Sequence, residues 1–489
     1  MDFSEQQLLA YNKYIAGENI FITGAGGTGK SALIRHIQQD ASKKGHDIHV
    51  CALTGTAAVL LACKAKTVHS WAGIGRGTAS TEALIEKITK NRFLRQIWQA
   101  TDILVIDEIS MMSKSLFEKL DAIGRAIRMK QEPFGGIQLI FSGDFYQLPP
   151  VPDKDDLDTG KFCFESDIWF QTFKVENHVI LSKIFRQSDP QWQKCLNQLR
   201  EGRVKISTNN LLLELVTNKQ VDENMFVKPT KLFPTRKQVD YVNVSEMEKL
   251  SGDYYEYKIK YLGDLEMSKI DKLKRSHFSE TQLEIEYNYL KGNIPCDTLI
   301  KLKVGAQVMC VVNIKADSGD IMLCNGSQGI VTGISPLGLP IVKYRNGIER
   351  IMEYHVWASE SIPGVGVSQI PLILAWALTI HKSQGATLDI AEIDAGSGIF
   401  ECGQTYVALS RVRSLEGLYL TSYDPRRIRI NDKVQDFYDK LAEKLATKNE
   451  EKKREIDRLP EAYVEPVAEE IPVAELVEEE LEVVSVENV

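Results

Sequence analysis

A glycine-rich turn at residues 24–31 constrains the fold of this chain more than any other stretch. A short apolar strand at residues 20–22 leads into the turn, and a helix is predicted to begin at Ser31. The turn matches the pattern G-x-x-x-x-G-K-[ST], in which glycines allow backbone N–H groups to point at phosphate oxygens. In this strand–turn–helix context, the turn predicts a binding site for the phosphates of a nucleotide.

The polar residues of the turn have separate expected roles. Lys30 is expected to reach the β- and γ-phosphates, and the hydroxyl of Ser31 is expected to bind Mg²⁺. The positive end of the following helix contributes to the same anion site. The predicted phosphate-binding residues are Gly24, Gly26, Gly27, Thr28, Gly29, Lys30 and Ser31.

A second apolar strand, at residues 103–106, ends in two carboxylates. Asp107 is expected to hold Mg²⁺, directly or through water, and Glu108 to orient the attacking water. Strands alternate with helical segments, including a helix predicted from Ser113 to Arg128, as far as the apolar run at residues 138–141, and polar residues follow the strands. This alternation predicts an α/β fold with a parallel sheet, whose site lies at the carboxyl ends of the strands.

Three further side chains each have two readings. Gln7 follows Ser4 by three residues, so its amide can complete a helix capping box or contact an adenine edge. Trp71, beside hydroxyls and His69, can stack on an unpaired base or belong to the core. Arg186 follows an apolar strand and can reach a γ-phosphate across a cleft or lie on the surface.

The second half of the chain changes character. Residues 251–295 are charged and Tyr-rich and predict helices and loops, whereas short β runs within residues 300–350 predict a small β-barrel. Residues 373–380 read as one long buried strand, and the polar loop at 381–385 resembles a phosphate or nucleic-acid contact. Arg411 is a second candidate for stabilising the charge of a transferred phosphate.

Charge and cysteine usage narrow the function classes. The net charge is −8, but residues 460–489 contain ten glutamates and no Lys or Arg, so the rest is slightly basic and allows a nucleic-acid partner.

Eight scattered cysteines without a C-x-x-C pair indicate neither a zinc site nor a disulfide framework. With no leader-like N-terminus and no apolar run of about 18 residues, we expect a cytoplasmic or nuclear protein without a membrane partner.

Taken together, these stretches resemble the PIF-type (petite integration frequency) DNA helicases of superfamily one, subclass B, over about residues 3–440. The most discriminating stretch is 108–128, which is similar to the family signature between the acidic strand and the motif Gly-Asp-x-x-Gln-Leu-Pro-Pro. Further similar blocks are found at residues 53–58, 302–309, 374–385 and 406–411.

The resemblance implies two RecA-like P-loop domains with parallel sheets, ATP bound between them, and a small β-barrel (Src-homology-3-like) inserted in the second. The expected first domain is 1–180, with a small DNA-contacting insert near 65–80. The second domain is expected at 181–250 and 362–440, and its insert at 251–361 with the barrel at about 300–360. Residues 446–489 are expected to be an acidic tail that is disordered or loosely helical. This tail either docks a partner protein or keeps the protein soluble, or it competes with DNA for basic surfaces.

The resemblance also assigns roles to residues. It makes Gln7 the adenine contact, Gln147 the γ-phosphate sensor, and Arg186 and Arg411 the arginine fingers, and it places Gly385 at the nucleotide. The segments expected to contact single-stranded DNA contain Thr54, His69, Trp71, Thr235, His381 and Lys382.

The implied activity is ATP- and Mg²⁺-dependent 5′→3′ movement on single-stranded DNA with unwinding of forks or structured DNA. The implied biology is DNA replication, repair, recombination and telomere maintenance. Two alternatives remain: a RecD-like or phage-type helicase of the same subclass, or a non-motor clamp on single-stranded DNA. A clamp would need a broken catalytic set, but Lys30, Asp107, Glu108, Gln147, Arg186 and Arg411 are all present.

Overall fold

A computed structural model describes residues 3–458, except for 62, 64, 76, 154–155, 223, 264, 269–270, 273–274, 277, 316–320, 360–361 and 397. The strands of the first sheet are β1 (Ile20–Gly24), β2 (Ile48–Ala52), β3 (Lys66–Thr67), β4 (Ile103–Asp107), β5 (Gln138–Gly143) and β6 (His178–Leu181). They pair in the order β3-β2-β4-β5-β1-β6, and every pairing is parallel. The predicted parallel sheet is confirmed.

Two of the inner strands of this sheet, β1 and β4, are buried along their whole length. Every residue of β1 and β4 is buried, because helices cover both faces of a parallel sheet. The predicted helix after Ser113 is confirmed: the Ser113 hydroxyl accepts from the N–H of Leu116 at 3.1 Å and caps it. The helices of this half are Glu5–Ile15, Lys30–Lys43, Gly55–Leu61, Val68–Ala72, Thr81–Lys90, Arg92–Ala100, Lys114–Arg128 and Trp169–Thr172, with 3₁₀ turns at Ile109–Met111, Pro133–Gly135, Leu157–Gly160, Cys163–Glu165 and Val175–Asn177.

The second half contains one further parallel sheet and several antiparallel ones. Its strands are β7 (Thr230–Phe233), β8 (Tyr255–Lys258), β9 (Lys260–Leu262), β10 (Leu299–Leu302), β11 (Gln307–Cys310), β12 (Ile314–Lys315), β13 (Ile321–Leu323), β14 (Gln328–Ile334), β15 (Pro340–Tyr344), β16 (Glu349–Ile351), β17 (His355–Ala358), β18 (Gly366–Gln369), β19 (Leu372–Leu374), β20 (Ala377–Thr379), β21 (Ala391–Ala395) and β22 (Leu418–Tyr423). Its helices are Pro190–Arg200, Ile206–Asn218, Arg236–Glu248, Glu280–Asn293, Gln404–Leu409 and Asp432–Arg458, with 3₁₀ turns at Leu415–Gly417 and Pro425–Arg427.

The second parallel sheet has the order β20-β7-β21-β22. The antiparallel strands between β7 and β20 form a five-stranded sheet, β16-β15-β14-β11-β19, and three smaller sheets. Each of the two large sheets of this half packs on its own cluster of buried apolar side chains. The fold is therefore α/β, with two RecA-like parallel sheets and an antiparallel insert in the second.

Several local expectations were wrong. Residues 373–380 form two strands, because β19 pairs with β11 of the insert while β20 pairs with β7. Strands of the insert therefore continue to Leu374, beyond the expected limit at 361. Within 251–295, the expected helices and loops include the strands β8 and β9, which are paired to β10 and β18.

Residues 446–458 of the expected tail are helical, because the helix Asp432–Arg458 continues through them. Residues 459–489 lie outside the described residues. No helix in the described part of the chain is both long enough and apolar enough to cross a membrane. The sites described below lie within the compact unit that ends at Tyr438.

Candidate nucleotide and nucleic-acid site

The turn between β1 and the helix Lys30–Lys43 folds around the lysine side chain. Lys30 Nζ donates to the carbonyl oxygens of Gly24 at 2.7 Å and Ala25 at 3.0 Å. Burial lowers the pKa of Lys30, although nearby carboxylates oppose the shift. Gly29 has a φ of +83°, and a Cβ there would lie 2.5 Å from Nε2 of Gln7. The turn thus needs glycine here, and it keeps a cation at the point where phosphates are expected.

Two carboxylates follow β4 at the same edge of the sheet. Burial, followed by the charge of Glu108, raises the pKa of Asp107 to about 6. Ser31 Oγ donates to Asp107 Oδ2 at 3.5 Å. Glu108 has a φ of +57°, an unusual conformation for a non-glycine residue.

The residues expected to hold Mg²⁺ fit that ion. Ser31 and Asp107 offer a hydroxyl and a carboxylate, and Mg²⁺ prefers oxygen ligands from one or two side chains completed by water and phosphate. Among the described residues, no group of three or more His, Cys, Asp and Glu side chains could form a metal site. An ion at Ser31 and Asp107 would take its remaining ligands from water and from the phosphates of the nucleotide.

One cleft of about 780 Å³ brings together side chains from both halves of the chain. It contains most of the residues predicted to bind nucleotide, together with two of the predicted DNA contacts. These lining residues are Gly26, Gly27, Thr28, Gly29, Lys30, Ser31, Thr54, Asp107, Glu108, Gln147, Arg186, His381, Gly385 and Arg411.

Both predicted arginine fingers reach the phosphate-binding turn. Arg186 Nη1 and Arg411 Nη2 would each lie 3.7 Å from a Cβ built on Gly26. Burial is the main cause that lowers the pKa of Arg186 to about 10, and the positive charge of Arg411 is the second cause. Burial also lowers the pKa of Arg411. Arg411 follows the helix Gln404–Leu409 and donates to Val407 O and Ser410 Oγ, each at 2.9 Å, which holds it in place. Two such cations in a dry cleft favour an anionic ligand.

Gln7 has the capping role that was one of its two readings. Its Oε1 accepts from the N–H of Ser4 at 3.0 Å, and its own N–H donates to Ser4 Oγ at 3.3 Å. Gln7 Nε2 also lies 3.4 Å from Thr28 O. This contact places the amide against the phosphate-binding turn, and the adenine contact stays a prediction.

Gln384 is a site residue that the sequence did not single out. Its Nε2 donates to Glu108 Oε2 at 3.1 Å and to Gln147 Oε1 at 3.4 Å. Gln384 lies in the turn 381–385, which also carries His381 and Lys382, both exposed. Gln384 could have been found from the sequence, because it lies within the block 374–385 that is similar to the helicase family. The turn thus joins two predicted DNA contacts to the predicted water-orienting carboxylate.

A second cleft, of about 440 Å³, has three basic side chains and one carboxylate, that of Asp297, in its lining. It is lined by Lys382, Arg236 and Lys291. Thr235, next to Arg236, is exposed, and its hydroxyl donates to Gln238 Oε1 at 2.7 Å. Such a basic groove suits a nucleic-acid backbone. His69 is half-buried, and burial lowers its pKa, which favours the neutral imidazole.

Trp71 belongs to the core, and the base-stacking reading is wrong in this structure. Its side chain is 0% exposed and its ring centroid lies 4.5 Å from that of Trp98. Trp98 Nε1 donates to Ala72 O at 3.1 Å and fixes this pair against the helix Val68–Ala72. A base cannot stack on a ring without an exposed face.

We therefore expect Trp71→Ala to lower the free energy of unfolding by about 3–5 kcal/mol, because it opens a cavity beside Trp98. Thermal or denaturant unfolding measures this change. Trp71→Phe is the matched control: Trp71 Nε1 has no hydrogen-bond partner among the described residues, so Phe should cost much less. An alanine variant with unchanged stability and weakened binding of single-stranded DNA would contradict the core assignment.

The fold and the cleft define a P-loop NTPase, with a phosphate-binding turn on one parallel sheet and arginines supplied from outside that sheet. Residues 5–210 match the model of the PIF1-like helicase family, and residues 287–334 match that of the 2B domain of the DNA helicase Pif1. The structure is similar to a crystal structure of Pif1 helicase from Candida albicans. Identity is 34%, the match covers 90% of this chain and 100% of that one, and the TM-score is 0.68. The chain belongs to the PIF1-like helicase family.

The chain is also similar to two further DNA helicases. The ATP-dependent DNA helicase PIF1 of Xenopus laevis is 36% identical over 447 residues, which are 91% of this chain and 65% of that protein. A Pif1 helicase from Bacteroides, in complex with ADP-AlF3 and single-stranded DNA, is 28% identical with a TM-score of 0.60, and the match covers 91% and 98% of the two chains. The chain spans just under two thirds of the length of its Xenopus relative.

Proposed function

We propose that this protein is an ATP-dependent DNA helicase that moves along single-stranded DNA and separates duplex strands. The observation that carries the proposal is the single cleft in which Lys30, Asp107 and Glu108 of the first sheet face Arg186 and Arg411. Family membership and the nucleotide- and DNA-bound Bacteroides relative support it. A clamp without motor activity has no comparable support, because no member of the catalytic set is missing.

In this proposal the site acts mainly by positioning and charge. Backbone amides of the turn and Lys30 hold the phosphates, while Ser31 and Asp107 hold Mg²⁺, which neutralises charge on the phosphates. Glu108 orients and deprotonates the attacking water, and Gln147 contacts the γ-phosphate. Arg186 and Arg411 stabilise the negative charge that develops during transfer. Gln7 contacts adenine, and Gly385 lies against the nucleotide.

DNA is proposed to lie along the basic groove and the turn 381–385. Lys382 contacts a phosphate, with Thr54, His69, Thr235 and His381 along the same path. Gln384 then provides a short route between DNA and catalysis, since it follows these DNA contacts and donates to Glu108 at 3.1 Å. A strand held in the groove would change the position of the turn and thereby of the carboxylate.

Several finer features belong to the same proposal. Movement is 5′→3′, the substrates are forks or structured DNA, and the protein works in the cytoplasm or the nucleus. The acidic segment at 460–489 docks a partner protein or competes with DNA. Comparing single-strand affinity before and after truncation at Leu459, at low and moderate salt, separates these roles, because competition weakens as salt rises.

The ATPase rate with and without single-stranded DNA tests the proposal. We expect DNA to stimulate hydrolysis, and Lys382→Gln to raise the DNA concentration needed for half-maximal stimulation, because one phosphate contact is lost. Lys231→Gln is the matched control, since Lys231 pairs with Glu392 and does not line the basic cleft. An ATPase rate that single-stranded DNA does not change at any concentration would contradict the proposal that the cleft drives movement on DNA.

A further inference from the structure

Tyr406 makes an unusual contact with the phosphate-binding turn. It lies on the helix Gln404–Leu409, next to the second parallel sheet, and its side chain is buried. Its hydroxyl accepts from the backbone N–H of Gly26 at 2.9 Å. Gly26 is part of the turn whose amides are expected to hold phosphate oxygens. The phenol oxygen thus occupies an acceptor position that a phosphate oxygen would also use.

A buried network fixes the position of the Tyr406 hydroxyl. The hydroxyl donates to Asp144 Oδ2 at 3.4 Å. Asp144 is fully buried and pairs with Arg200 through two hydrogen bonds, both of 2.8 Å. The guanidinium of Arg200 lies 4.5 Å from the ring centroid of Tyr146. Asp144 follows β5 of the first sheet, whereas Arg200 and Tyr406 come from helices of the second half, so the network joins the two halves.

We propose that the hydroxyl of Tyr406 competes with a nucleotide phosphate for the N–H of Gly26. A backbone N–H is a single donor, so it serves one acceptor at good geometry. Nucleotide binding must then displace the phenol, and the lost hydrogen bond weakens apparent affinity. This inference rests on the proposed function, because it requires the cleft to bind a nucleotide.

The displacement has a mechanical consequence for the arginine finger. Arg411 follows Tyr406 by five residues, and its Nε donates to Val407 O, the carbonyl next to Tyr406. If release of the phenol from Gly26 shifts the helix Gln404–Leu409, the hydrogen bond to Val407 would carry Arg411 with that helix. Exchange at one amide would then link nucleotide occupancy to the placement of a catalytic cation.

The test is the dissociation constant of a fluorescent ADP with Mg²⁺, measured for the full chain. We expect Tyr406→Phe to bind about two- to tenfold more tightly, the worth of one released hydrogen bond. Tyr438→Phe is the matched control. It removes a second, part-buried hydroxyl, which accepts from Phe145 N at 3.3 Å and contacts Thr23 Oγ1 at 2.6 Å, without touching Gly26. We expect the control to stay within about twofold of the wild type.

Equal or weaker binding by Tyr406→Phe would overturn the inference while leaving the proposed function intact, provided that the wild type binds ADP. Equal tightening by Tyr438→Phe would also overturn it, because loosening of the network would then explain the effect. A wild type that does not bind ADP contradicts the proposed function and the inference together. Hydrogen exchange of the Gly26 amide gives an independent readout. Without nucleotide it should exchange faster in Tyr406→Phe than in the wild type, and equal rates contradict the inference.

Discussion

Arg411→Ala is expected to reduce the turnover number for ATP by about 10³- to 10⁵-fold, the range found for arginine fingers, with a much smaller effect on nucleotide affinity. The reason is geometric. The Arg411 guanidinium donates to Val407 O of the preceding helix and lies beside Gly26 of the phosphate-binding turn. Its positive charge is therefore available where negative charge develops on the transferred phosphate. In Arg411→Ala, that negative charge has no partner from this position.

Single-turnover hydrolysis and direct nucleotide binding, measured on the same preparation, separate the two effects. Arg413→Ala is the matched control, because Arg413 lines the same cleft but is half-exposed and faces Asp389 at 3.5 Å. We expect it to change turnover far less. An Arg411→Ala enzyme with near wild-type turnover and an unchanged melting temperature would remove Arg411 from the catalytic set.

Glu108→Gln is expected to slow hydrolysis by about 10²- to 10⁴-fold, the usual contribution of a general base, while ATP still binds. Lys30→Ala should instead abolish tight nucleotide binding, because Lys30 is the cation within the phosphate-binding turn. The two residues thus separate chemistry from binding. Nucleotide affinity and turnover are measured independently for each variant.

Asp102→Asn provides the control for Glu108→Gln. Asp102 lies just before β4, at the end of the strand away from the cleft, and its carboxylate is half-exposed. We expect wild-type kinetics from it. Wild-type turnover in Glu108→Gln would refute the base assignment and leave Gln147 or Gln384 to position the water.

Features that depend on residues close together in sequence could be predicted. The phosphate-binding turn, the carboxylates after β4 and the helix following Ser113 each arise within one strand–turn–helix unit. Their residue types are dictated by local backbone geometry and by phosphate chemistry. The alternation of such units also predicts a parallel sheet.

Features that depend on distant packing could not be predicted. The burial of Trp71 requires Trp98, and a Trp beside polar neighbours reads equally well as a stacking platform. Residues 373–378 are all apolar, so nothing local marks the point where the chain leaves one sheet and enters another. The contact between Gly26 and Tyr406 joins residues 380 positions apart, and that between Glu108 and Gln384 spans 276 positions.

Strand displacement on two matched substrates tests the central claim most directly. Each substrate carries the same duplex, one with a 5′ single-stranded overhang and one with a 3′ overhang, and Lys30→Ala serves as the inactive control. The account predicts ATP-dependent separation of the strands from the 5′-tailed substrate and none from Lys30→Ala. DNA-stimulated ATP hydrolysis by the wild type without displacement of either substrate would contradict it.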